Sequence, residues 1–159
     1  MTSRTIAGSG RLFSGALALA LFLPIAAWGH ITVYPRESTA GAMEKYIVRA
    51  PTEGKLTSKS VVLEVPEGVT VEALAVPQGW TQEVKKEGAR IVAITWMMDV
   101  KPGEFVEFSF VARNPRNKDQ IVWNIKQHFS DGSVQDMTKG ANGIRPAVVI
   151  KLTPMKTLQ

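Results

Sequence analysis

The apolar runs of this chain are short, and proline or glycine ends most of them. Pro35, Pro51, Pro66-Glu67-Gly68, Pro77-Gln78-Gly79, Lys101-Pro102-Gly103-Glu104 and Asp131-Gly132 are the breaks. No 3.6-residue periodicity persists beyond two turns, so helices cannot be the main elements. The segments between breaks are rich in β-branched and aromatic residues: 31–34, 43–50, 60–65, 69–76, 90–97, 105–113, 120–129 and 147–152. Within 60–65, Val61, Leu63 and Val65 share one face while Val62 and Glu64 take the other. Ser130-Asp131-Gly132-Ser133, between two such runs, is a hairpin signal. The pattern predicts eight or nine strands in one all-β domain, a single antiparallel β-sandwich of immunoglobulin or cupredoxin-like kind.

The first 29 residues have a different character. Residues 1–11 carry Arg4 and Arg11 and no acid, and residues 12–28 are almost all apolar, with Pro24 near the end. The uninterrupted apolar part, 13–27, is 15 residues long and contains Ser14 and Gly15, short against the ~20 residues a membrane-spanning helix needs. Ala27 and Gly29 are small residues at the two positions a signal peptidase reads. The segment 1–29 is therefore expected to be a signal peptide, cut before His30, and the protein to be periplasmic or secreted.

Removing it leaves 130 of the 159 residues, enough for one domain with a sizeable core. The formal charge falls from +5 to +3, because Arg4 and Arg11 leave and no acid does. No basic run interleaved with aromatics points to nucleic acid. The chain has no cysteine. In an oxidising compartment its stability must then come from packing alone, and any metal must be held by nitrogen, oxygen or thioether sulfur. No internal repeat or linker is visible, and 153–159 is a tail with little to bury.

Two histidines, His30 and His128, limit the choice of metal site. Cleavage before His30 would place a free α-amine beside its imidazole, and the two nitrogens could close a chelate ring. Such a donor pair suits Cu(II), with its tetragonal preference and its place at the top of the divalent affinity order. The amine must lose its proton to bind, so affinity should fall in acid. The remaining ligands have to come from elsewhere in the fold.

Several segments, in order, resemble the YcnI-like domain family of bacterial exported copper-binding proteins. They are His30-Ile31-Thr32-Val33-Tyr34-Pro35, Gly41-Ala42-Met43-Glu44-Lys45-Tyr46, Ile47-Val48-Arg49-Ala50-Pro51-Thr52-Glu53, Pro77-Gln78-Gly79-Trp80, Thr95-Trp96, Lys101-Pro102-Gly103-Glu104-Phe105, Ala112-Arg113-Asn114-Pro115 and Phe129-Ser130-Asp131-Gly132-Ser133-Val134. The similarity covers 30–152. It implies a β-sandwich whose processed N-terminal His30 binds Cu(II) in a one-histidine form of the histidine brace, with Glu53 completing the site. The family usually carries a Trp beside the metal shortly after the Asp-Gly hairpin, and here the aligned residue is Met137. A thioether is a softer donor that favours Cu(I); the alternative is that Met137 fills the volume of the missing indole.

Other residues are weighed against these. Glu44 competes with Glu53, although an ion pair with a nearby Lys or Arg is its expected fate. His128 falls on the polar face opposite Ile121, Trp123, Ile125 and Gln127, and is read as a surface residue. Trp80, Trp96 and Trp123 are read as core. Met97 and Met98 are adjacent in a strand and must point to opposite faces.

The resulting expectation is copper handling outside the cytoplasmic membrane, as a metallochaperone, buffer or acquisition protein and not as an enzyme. A copper transporter or a periplasmic copper chaperone is the partner that the resemblance implies. Two other readings stay open: a metal-free immunoglobulin-like binding module, and a histidine-brace oxidative enzyme that would recruit His128.

Overall fold

The computed structural model describes residues 30–52, 54–137 and 148–155. The leader segment 1–29, Glu53, and residues 138–147 and 156–159 lie outside the described residues. Every regular element among the described residues is a strand: β1 (Thr32–Tyr34), β2 (Glu37–Thr39), β3 (Met43–Pro51), β4 (Ser58–Glu64), β5 (Thr70–Leu74), β6 (Thr81–Glu87), β7 (Arg90–Val100), β8 (Phe105–Arg113), β9 (Gln120–Phe129), β10 (Val134–Asp136) and β11 (Val148–Thr153). They form a sheet of four strands in the order β1-β3-β8-β5 and a sheet of seven in the order β2-β11-β9-β4-β7-β6, with β10 beside β9. The expected β-sandwich is therefore present.

The antiparallel expectation needs one correction. β2 pairs with β11 in parallel, Glu37 opposite Lys151. β1 and β2 act as one strand interrupted at Pro35, with its first half paired to β3 and its second half to β11. Proline has no N–H to continue a ladder, so the chain changes sheets there. Three strands, β2, β6 and β10, stand where no strand was expected. β6 is almost wholly exposed and polar, an edge strand that shows no apolar alternation. β2 and β10 have three residues each, too few to display a period. β11 runs to Thr153, whose carbonyl accepts a bond from Ala40 N–H at 2.8 Å, so the tail begins one residue later than 153.

Between the sheets lies an aromatic core. Trp96 stacks on Phe108 with ring centroids 4.6 Å apart, and Trp123 meets Tyr46 and Phe110 edge-on at 5.3 and 5.5 Å. Each such contact adds about 0.5–1.5 kcal/mol beyond the area it buries. Trp96 and Trp123 are core residues as expected. Trp80 is only partly buried, packed edge-on against Phe108 at the margin. Met98 points into the core while Met97 is half-buried on the other face.

Candidate metal site

The alternation of β1 places His30. Ile31 and Val33 are each 1% exposed, so they point into the sandwich, and His30, Thr32 and Tyr34 fall on the opposite face. His30 is exposed, directly beside a residue anchored in the core. Thr32 lies opposite Arg49 and Tyr34 opposite Ile47 in the β1–β3 ladder. Continued two residues past Thr32, that register brings His30 level with Pro51, the last residue of β3 and two residues before Glu53.

The backbone just before Glu53 is tightly held. Thr52 N–H donates to the Glu104 carbonyl at 2.9 Å, and Gly103 N–H donates to the Thr52 carbonyl at 2.8 Å. Gly103 has φ of +84°, a left-handed conformation suited to glycine that lets the turn reach back to Thr52. From the other sheet, the Gln127 side-chain amide donates to the Pro51 carbonyl at 3.1 Å and to Ser58 Oγ at 2.8 Å. Gln127 and Thr52 are 0% and 1% exposed, yet Gln127 Oε1 and Thr52 Oγ1 have no hydrogen-bond partner among the described residues. Such unpaired buried atoms are uncommon, and here two occur at the end of the sandwich where β1 begins.

The other candidates separate. Met137 is 3% exposed and belongs to the same apolar cluster as Ile31; its N–H donates to the Ile125 carbonyl at 2.9 Å, extending the β10–β9 ladder by one residue. His128 follows the inward-facing Gln127 and so lies on the outer face of the seven-stranded sheet, between Ser60 of β4 and Val134 of β10. His128 thus lies in one sheet, while His30 precedes β1 of the other. Glu44 stands at the opposite end of β3 from Pro51, where it accepts the Ser38 hydroxyl at 2.6 Å and the Lys45 N–H at 3.2 Å. This corrects the ion pair expected for Glu44: its partners among the described residues are a hydroxyl and an amide, because the alternation of β3 places it beside β2. Among the described residues, no three His, Asp or Glu side chains gather into a metal-binding group.

Beside His30, Arg49 lies over the rings of Tyr34 and Phe105, 5.4 and 5.5 Å from their centroids, and pairs with Glu107 at 2.8 Å. A cleft of about 530 Å³ lined by Pro66, Val69, Lys118 and Ile121 lies at the far end of the sandwich and shares no residue with this site. Sequence reasoning passed over Gln127, Ser58 and Thr52 as site residues. The available signal was Gln127 itself, an amide at the fourth inward position after Ile121, Trp123 and Ile125.

The chain is 31% identical over 139 residues to the copper-binding protein CutI of Bacillus subtilis (strain 168), a stretch that spans 86% of this chain and 68% of that protein. Its fold matches that of an uncharacterized protein from Nocardia farcinica, which has an immunoglobulin-like fold, with a TM-score of 0.64 and 24% identity over 77% of this chain and 97% of the other. The model of the family described as Domain of unknown function (DUF1775) matches residues 30–152, and the chain belongs to that family.

Proposed function

We propose that this chain is an exported copper-binding protein that takes Cu(II) with the α-amine and imidazole of a processed N-terminal His30 and with the Glu53 carboxylate. One observation carries the reading: the β1–β3 register pairs Thr32 with Arg49, and its continuation by two residues would set His30 level with Pro51, two residues before Glu53 in the chain. Two further facts support it, the copper-binding name of a relative 31% identical to this chain and a family match that starts at residue 30. The orphaned Gln127 Oε1 and Thr52 Oγ1 mark this end of the sandwich as a place where polar atoms are kept uncommitted.

Copper is cargo in this reading. The amine and imidazole capture Cu(II), the carboxylate offsets part of its charge, and release follows by ligand exchange or by reduction to Cu(I). Met137 is 3% exposed in the apolar core, which supports its role as a packing residue; a thioether ligand for the reduced ion is the alternative. Handling, as metallochaperone, buffer or acquisition protein, is favoured over oxidative catalysis because His128 faces outward from the other sheet and gives a two-histidine brace no second imidazole. Transfer to or from a copper transporter or a periplasmic copper chaperone fits an exposed His30.

The test begins with mass spectrometry of the exported protein, which should find His30 as the first residue. Cu(II) titration should then show one tight site, weakened on the order of ten- to a hundredfold by Glu53→Gln. A chain that begins elsewhere, or a Glu53→Gln protein that binds as the parent does, overturns the proposal. Absence of stoichiometric binding would favour the metal-free module.

A further inference from the structure

On the outer face of the seven-stranded sheet, side chains from three neighbouring strands fall in one row. Ser60 of β4 lies opposite His128 of β9 on one side and opposite Met97 of β7 on the other. The chain neighbours Gln127, Val61, Trp96 and Met98 point into the core, so alternation turns His128, Ser60 and Met97 outward together, and each is half-buried. Strands in a sheet lie about 4.8 Å apart, which sets the His128 and Met97 backbones roughly 10 Å from one another with the short Ser60 side chain between them. An imidazole and a thioether are both long enough to lean over a serine and place a nitrogen and a sulfur on one ion.

The imidazole is not otherwise engaged. Among the described residues the His128 ring makes no hydrogen bond or ion pair, not even with the Ser60 hydroxyl opposite it. Two lysines flank the row in sequence, and each is already balanced: Lys126 lies 3.9 Å from Glu64, and Lys59 pairs with Asp99. A donor pair of one imidazole nitrogen and one thioether sulfur selects among metals, because the soft sulfur favours Cu(I) and that ion accepts a low coordination number. We propose that His128 and Met97 form a second metal site, for Cu(I), on the outer face of the seven-stranded sheet, with Ser60 as the small residue that leaves room for the ion. The site uses neither His30 nor Glu53, so it goes beyond the Cu(II) reading and does not depend on it. The N-terminal chelate takes no second imidazole, and His128 serves the reduced ion alone.

The test uses protein exported from the full-length precursor, titrated without oxygen with Cu(I) against a competing chelator, and with Ag(I) as a probe that has no redox chemistry of its own here. The parent should bind one ion at this site, and Ag(I) should shift the NMR signals of the Met97 methyl group and the His128 ring. Met97→Leu, which keeps the volume, and His128→Ala should each weaken binding by about tenfold or more. The double variant should be weaker than the weaker single one by less than about twofold, because the two side chains act on one ion. Met98→Leu, in the core, should bind as the parent does, and so should a form with one extra residue ahead of His30. A parent that binds neither ion overturns the proposal, as does a Met97→Leu protein with the parent's affinity. A loss in Met98→Leu equal to that in Met97→Leu would show a packing effect, and a loss on extending the N-terminus would move the ion to His30; either result also overturns it. If His128→Ala does not fold, Met97→Leu and the Ag(I) shift of the His128 ring decide the matter, and an unshifted ring sinks the site. Failure of the N-terminal Cu(II) chelate leaves these outcomes as they are, so the two readings fall separately.

Discussion

At one end of the sandwich Tyr46 donates to Asn114 at 2.6 Å, Asn114 donates to Ser38 and to the Thr39 carbonyl at 2.9 Å each, and Ser38 donates to Glu44 at 2.6 Å. At the other end Gln127 and Thr52 are as deeply buried, but each keeps one polar atom unpaired among the described residues. Both ends bring strands of the two sheets together through side-chain polar groups. The first is closed on itself, so its energy goes into stability. The second leaves hydrogen-bonding capacity unused among the described residues. The contrast teaches that equally buried polar clusters can differ in pairing, and pairing alone does not mark a site, since Trp123 Nε1, packed on Tyr46, and Gln82 Oε1 are unpaired among the described residues as well.

The contrast can be broken most sharply at the N-terminus. One extra residue ahead of His30 removes the amine from the chelate and should lower Cu(II) affinity on the order of a thousandfold, about 4 kcal/mol, while thermal unfolding stays where it was. Equal affinity in competition titrations would show that the open end is not a copper site.

The next effect belongs to the closed end. Asn114→Ala strands the Tyr46 hydroxyl in the core and should cost about 3 kcal/mol, read by denaturant unfolding, with copper affinity unchanged. A loss of copper binding in folded Asn114→Ala would mean that the two ends are coupled.

Tyr46→Phe sharpens the same point through pH. Burial, first, and the charge of Glu44, second, push the Tyr46 hydroxyl up to about 12 against the hydrogen bonds with Asn114 and Ser38 that pull it down. The folded state holds this proton more tightly than the unfolded chain, so the contribution is complete below pH 10 and fades as pH climbs from 10 towards 12. Tyr46→Phe should lose about 1–2 kcal/mol at neutral pH and flatten the fall of stability across that alkaline window. An unchanged slope would place the titrating group elsewhere.

The smallest effect is expected at His128, on the outer face of the seven-stranded sheet. His128→Ala should alter stability by less than about 0.5 kcal/mol, as surface substitutions do, and leave Cu(II) affinity untouched. A large loss of copper would revive the two-histidine enzyme.

Most of the strands were legible. Residues 105–113 and 120–129 coincide with β8 and β9, because each run alternates and ends at a turn. The edge strand β6 was not, since Thr81-Gln82-Glu83-Val84-Lys85-Lys86-Glu87 is solvated on both faces and carries no apolar period. Of the candidate site, the exposure of His30 and the outward face of His128 followed from alternation. Glu44 was misread because an acid's partner depends on what the neighbouring strand offers, and β2 offers Ser38.

By itself the sequence determined most of the strands and which of their residues face the core, and that the chain carries no thiol. A two-residue period and a proline or glycine are local properties, and they act wherever the segment lies. Only the tertiary structure decided that Pro51 and Gln127, 76 residues apart and in different sheets, share a hydrogen bond. Such a contact depends on how two sheets are stacked and registered, and the packing of the whole core, rather than any single stretch of chain, sets that alignment.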